Sequence, residues 1–233
     1  MISTHQNEVQ NLIETKLSGL DKDDALLFHV SVERKLASVE LWFQNVADMT
    51  PSFFQYGTLD GSNKPEFDIN FYLVKMSANI DAFFMSGKST LDSFGHETRS
   101  LYNFGGHSGD LYFENVLDLL PIHNSISSLN SYFNTSNIRN ISWYKDLKAY
   151  RRASAHESVI QIKPSLSLDF LTGQWKEIWL KLPIDPTQRP LSYNGKNFID
   201  TGKTIKESLF KFITESYDAI LDDIKNSKTK IVY

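Results

Sequence analysis

The chain has 233 residues, 41% hydrophobic and 13% aromatic, enough to bury a sizeable core, which excludes a disordered chain as the starting expectation. Lys plus Arg number 24 against 28 Asp plus Glu, for a formal net charge of -4, so the overall basic excess of a general nucleic-acid binder is missing and RNA contact would need a local patch. No cysteine is present, which excludes disulfides, thiolate zinc sites and cysteine nucleophiles. The opening Met1-Ile2-Ser3-Thr4-His5-Gln6-Asn7-Glu8 has neither a basic start nor an apolar run, and no later stretch is apolar for long enough to span a bilayer. The expectation is a soluble cytoplasmic protein with no membrane attachment.

In chain order, Val9, Leu12, Ile13, Leu17 and Leu20 recur at helical spacing, and Asp23 to Met49 repeats the pattern with Leu27, Val30, Leu41 and Val46. Pro51 should close this second helix, and Gly57 to Asn63 reads as a turn-rich loop. A third helix is predicted from about Pro65 to Phe94, with Met76, Ile80, Phe83, Gly87, Leu91 and Phe94 on one stripe and Gly87 allowing close helix approach. Gly95 to Asp110 reads as a glycine-rich loop, and Leu111 to Phe133 as a helical pair interrupted at Pro121. A further helix is predicted over Ile138 to Ser158. After Glu157 the period changes: Val159 to Lys163 and Lys176 to Leu182 read as strands around a turn at Thr172-Gly173, a β insertion at about residues 159–182. Asn194-Gly195 reads as a turn, and Thr204 to Lys225 as an amphipathic helix with Leu209, Phe212, Ile213, Tyr217, Ile220 and Leu221 inward. The expected class is mainly α, an up-and-down bundle of about five or six helices with a small β-hairpin before the C-terminal helix, as one domain over 1–233.

One cluster suggests chemistry. Arg151-Arg152-Ala153-Ser154-Ala155-His156-Glu157 ends the predicted helix over Ile138 to Ser158. An arginine fork holds phosphate and a histidine moves a proton near neutral pH, so the pair suits phosphodiester chemistry. On an ideal helix Trp143, Leu147, Tyr150 and Ser154 share one face, while Lys145, Arg152 and His156 lie nearly opposite with Lys148 at the edge. Arg152 and His156 would be neighbours, whereas Arg151 sits about 140° from His156 around the axis. Ser154, on the packed face with no acid to complete a triad, is not read as a nucleophile. The plain structural alternative for the whole cluster is a solvated basic helix end that complements the helix dipole.

R-x-x-x-x-H near the end of a helix in a helical bundle resembles the HEPN superfamily. The match is strict over Arg151 to His156 and extends roughly from Asp23 to Glu157 as an order of helices. The resemblance implies a homodimer with Arg151 and His156 as the active pair in a cleft between protomers. It also implies metal-independent endoribonuclease activity of an RNA-processing or toxin-like kind, with no cofactor and no metal. Arg152, Lys145 and Lys148 would then bind substrate, single-stranded RNA or a nucleotide, and an antitoxin-like protein would be a partner. The residue after the family's arginine is commonly Asn, Asp or His and here is Arg152. This leaves open the alternative of a non-catalytic HEPN-like nucleotide-binding or protein-interaction module.

Other motifs carry less. Gly87-Lys88-Ser89-Thr90 imitates the end of a P-loop but has Ala82 where the first glycine belongs and lies inside a helix, so Lys88 and Asp92 are expected to pair on the helix surface. His96, Glu97, His107 and Asp110 are metal-ligand types at spacings that fit no compact site. Asp21, Asp23 and Asp24 are read as helix-capping, and Phe53, Phe54 and Tyr56 as a hydrophobic anchor.

Overall fold

The computed structural model describes residues 4–16, 20–51, 69–103, 112–156, 160, 162–169, 174–186, 192–193 and 196–226. Among the described residues the protein is mainly helical, with a small antiparallel sheet. The helices are α1 (Thr4–Lys16), α2 (Leu20–Met49), α3 (Ile69–Tyr102), α4 (Phe113–His123), α5 (Ser128–Ser136), α6 (Ser142–His156) and α7 (Phe198–Lys225). A 3₁₀ turn, Ile138–Asn140, precedes α6, and the strands are β1 (Lys163–Asp169), β2 (Gln174–Leu182) and β3 (Lys196–Asn197). Among the described residues no helix is long and apolar enough to cross a membrane.

Several boundaries differ from the sequence reading, each for a local reason. α3 does not stop at Phe94 but runs through Gly95 to Tyr102, and the left-handed residue that follows it is Asn103 at φ 47°. Gly95 is a close-approach glycine: a Cβ there would lie 3.2 Å from the Phe113 Cα and 3.3 Å from Val116 Cγ2. Pro121 does not separate two helices but sits in the last turn of α4, where its missing N–H forfeits a single helical bond. The break comes instead between His123 and Ser128, with the Ser127 hydroxyl accepting the Asn130 N–H as the N-cap of α5.

The predicted hairpin appears as a sheet of three strands in the order β1-β2-β3, with Lys163 opposite Lys181 and Asp169 opposite Gln174. Its first strand begins at Lys163, where the sequence reading ended it. Pro164 is tolerated because β1 is the sheet edge, where no ladder needs its N–H. α7 begins six residues before the expected Thr204. Asn197 explains this: its side chain accepts the Ile199 N–H at 3.4 Å, capping α7, and the Leu180 N–H at 3.1 Å, tying that cap to β2. The turn at Thr172-Gly173, the loop Gly57 to Asn63 with Pro65, and Phe53, Phe54, Tyr56, Gly105, Gly106, His107, Gly109 and Asp110 lie outside the described residues.

The chain divides into two compact units. The first comprises Met1–Ala37, Gly87–Tyr144 and Glu207–Tyr233, and the second Ser38–Ser86 and Lys145–Lys206. In the first, Phe212 of α7 is the hub, its ring 5.7 Å from both Phe113 and Phe133 and 6.0 Å from Trp143. All six residues expected to face inward on α7, Leu209, Phe212, Ile213, Tyr217, Ile220 and Leu221, are buried. In the second, Phe198 meets Phe83 at 5.4 Å and Phe84 at 6.1 Å, and Phe84 stacks on Tyr150 at 4.7 Å. Such ring pairs add about 0.5–1.5 kcal/mol each beyond the area they bury.

Candidate functional site on helix α6

α6 forms because apolar residues recur on one stripe, and burial follows that stripe: Trp143, Tyr144, Leu147, Tyr150 and Ala153 are buried. In the second unit, the Tyr150 hydroxyl donates to the Pro183 carbonyl at 2.7 Å, and burial pushes its phenol well above the usual value. Lys145, Lys148 and Arg152 are exposed, and their spacing of three and four residues places them on one stripe. Arg151 is half-buried. His156 is the last residue of α6, and its side chain and Glu157 lie outside the description. Three of the proposed basic residues thus share a face, with Arg151 off it.

Two contacts hold this end of α6, both within the second unit. Asp81 of α3 hydrogen-bonds the Ser154 side chain and accepts the Ile160 backbone N–H at 3.0 Å, so residues on both sides of His156 are tied to one carboxylate. Burial raises the Asp81 carboxyl above its ordinary range, while those two hydrogen bonds pull it back down. Near the start of α6, Asp146 accepts the Lys196 ammonium at 2.5 Å, which commits the acid beside the basic stripe to β3. Ser154 is therefore a tether, and the acid it meets, Asp81, is one that its position in the sequence did not bring to it. Nothing in the pattern around Ile80-Asp81-Ala82 marks Asp81 as the tether, because a single polar residue on a helix reads as a solvated one.

The remaining motifs lie in the first unit. Lys88 pairs with Asp92 at 2.5 Å as expected, but the pair is not at the surface: Lys88 is 7% exposed and also reaches Glu114 at 3.1 Å. His96 and Glu97 are helical residues of α3. The His96 ring stacks on Phe28 at 4.6 Å, and burial, then Arg99, lowers its pKa. Glu97 is fully buried between His29 Nδ1 at 2.7 Å and the Tyr217 hydroxyl at 2.6 Å. Lys35 donates to Ser93 Oγ at 2.7 Å, and burial lowers its pKa against the pull of Asp92. Ser93, 4% exposed, is not presented to a substrate. Asp23 and Asp24 fall within the first turn and a half of α2, with Asp21 just before them in the same helix, where negative charge complements the helix N-terminus. Among the described residues no group of three or more His, Cys, Asp or Glu side chains is arranged to hold a metal ion.

Compared with protein-family models, curated proteins and solved structures, the chain matches none of them.

Proposed function

We propose that this protein is a HEPN-like, homodimeric RNA-binding protein that engages the phosphates of single-stranded RNA along α6 and cleaves the strand without metal. The observation that carries the reading is the exposed stripe of Lys145, Lys148 and Arg152 leading to His156, on a helix whose other face is buried. In a chain of net charge -4, a localised basic face is what an RNA contact requires.

In the proposed reaction the ribose 2′-oxygen bonds to phosphorus and the bond from phosphorus to the 5′-oxygen breaks. One His156 takes the 2′-hydroxyl proton, and the His156 of a second protomer gives a proton to the departing 5′-oxygen. Arg151 and Arg152 offset the charge that grows on the phosphate oxygens. A second reading, a non-catalytic phosphate-binding module, is favoured by one observation: Arg151 is half-buried and Arg152 is the exposed arginine.

The test is incubation of wild type, His156→Ala and Arg152→Glu with single-stranded RNA in EDTA, followed for binding and for cleavage. Cleavage by wild type, abolished in a folded His156→Ala that still binds, supports the nuclease. Binding without cleavage by wild type, weakened in Arg152→Glu, selects the second reading. Neither binding nor cleavage overturns both.

A further inference from the structure

We infer that the first unit carries a binding pocket for a single pyrimidine base, built from none of the α6 residues assigned above. The C-terminal part of α5 and the 3₁₀ turn after it border a cavity of about 150 Å³. Four asparagines line it, Asn130, Asn134, Asn137 and Asn140, at spacings of four, three and three residues. Its apolar wall is Leu117, Phe133 and Ile138. The chain takes this path because Asn137 adopts the left-handed conformation, φ 49° and ψ 43°, turning the backbone from α5 directly into the 3₁₀ turn.

The lining chemistry narrows the ligand. A carboxamide carries two donors and two acceptor lone pairs. Asn130 donates to the Ser125 carbonyl at 2.9 Å and accepts from Asn134 at 3.4 Å, and Asn140 donates to the Asn137 side-chain oxygen at 2.8 Å. These bonds leave at least one donor and one acceptor on every one of the four amides. Asn130 is 6% exposed and lines the cavity.

Among the described residues no carboxylate lines the cavity. Arg139, the one cation among them, gives its guanidinium to Asp118 at 2.5 Å and to the Glu114 carbonyl at 3.3 Å. A neutral, planar ligand with adjacent donors and acceptors on its edge is complementary to such walls, as asparagine is to a base edge. Size selects one ring, since a cavity of about 150 Å³ accommodates a benzene-sized molecule. A pyrimidine meets all three conditions, as a free nucleotide or as one base of an RNA strand, whereas the second ring of a purine would lie outside a space of this volume.

The experiment is a titration of ¹⁵N-labelled protein with uridine 5′-monophosphate, adenosine 5′-monophosphate and a uridine oligomer, following the asparagine side-chain NH₂ signals. Asn134→Ala and Asn140→Ala are run alongside. Both sites are exposed, Asn134 in α5, where alanine suits the helix, and Asn140 at the end of the 3₁₀ turn, and retention of the fold is checked by circular dichroism. Saturable shifts with the uridine mononucleotide, weakened about tenfold in either variant, establish the pocket. Much tighter binding of the oligomer with the same variant sensitivity assigns the base to RNA, and equal affinity assigns it to a free nucleotide. Equal binding of the adenosine nucleotide, no saturable shift, or shifts that both variants leave unchanged overturn the inference. His156→Ala leaves the titration with the uridine mononucleotide unaltered, so failure here and failure of the α6 reading are told apart.

Discussion

Asp81 and Ser154 join α3 to α6 through a side-chain hydrogen bond, and the same carboxylate accepts the Ile160 N–H at 3.0 Å just beyond His156. Because burial raises the folded-state pKa of Asp81, its protonated form is favoured by folding. The resulting stabilisation is fully present below the unfolded value of 3.8 and is lost as pH rises through the folded one. Urea unfolding at about pH 3 and about pH 7 is therefore expected to show wild type losing stability relative to Asp81→Asn as pH increases. In Asp81→Ala the last turn of α6 loses its anchor, and if α6 holds RNA as proposed, affinity for it is expected to fall without global unfolding.

Tyr217 donates to Glu97 at 2.6 Å with both groups fully buried. Tyr217→Phe removes the donor and leaves the carboxylate short of a partner, an expected loss of about 1–3 kcal/mol in unfolding free energy. The Tyr102 and Tyr217 phenols both stand well above the ordinary value of 10.0, burial being the largest cause. Their contribution is whole below that value and is lost as pH climbs toward the folded-state values. Wild type should accordingly weaken more between about pH 8 and pH 11 than Tyr217→Phe does.

Two glycines are expected to respond unequally to alanine. At Gly95 the new Cβ meets backbone, the Phe113 Cα at 3.2 Å, so α4 must move, at an expected cost of about 1–3 kcal/mol. At Gly202 it meets the Phe198 and Phe43 rings at 3.2 Å, side-chain atoms that a shift of a few tenths of an ångström relieves without moving a helix. There the helix-propensity gain offsets the crowding, and Gly202→Ala is expected within about 1 kcal/mol of wild type. Thermal unfolding of the two variants compares them directly.

Charge reversal separates α6 from general electrostatics. If Arg152 contacts a phosphate, Arg152→Glu weakens RNA binding across sequences and reduces the slope of log affinity against log salt by about one or more. Reversing Lys211, an exposed lysine of α7 paired with Glu215 at 3.7 Å, leaves that slope unchanged. Fluorescence anisotropy at several salt concentrations reads both.

The inward stripe of α7 and the packed face of α6 were legible because periodicity reports burial, but on α2 the same reading named Leu27 and Leu41, which are exposed, beside Val46, which is buried. Gly95 and Pro121 misled as breakers because their consequences depend on partners, Phe113 for the glycine and the nearness of the helix end for the proline. β3 was too short to carry an alternation, and the start of α7 hinged on one asparagine cap. At the candidate site the basic stripe was legible from spacing. The Asp81 tether and the Asn-lined cavity were not, since each joins elements distant in sequence or depends on a left-handed residue that sequence alone does not place.

The most direct measurement is the end chemistry of RNA fragments released by wild-type protein in EDTA, with His156→Ala as control. Attack by the 2′-hydroxyl leaves a 2′,3′-cyclic phosphate on one fragment and a 5′-hydroxyl on the other, and both should disappear in the folded variant. Uncut RNA, 3′-hydroxyl and 5′-phosphate ends, or cleavage that persists in His156→Ala would contradict the account.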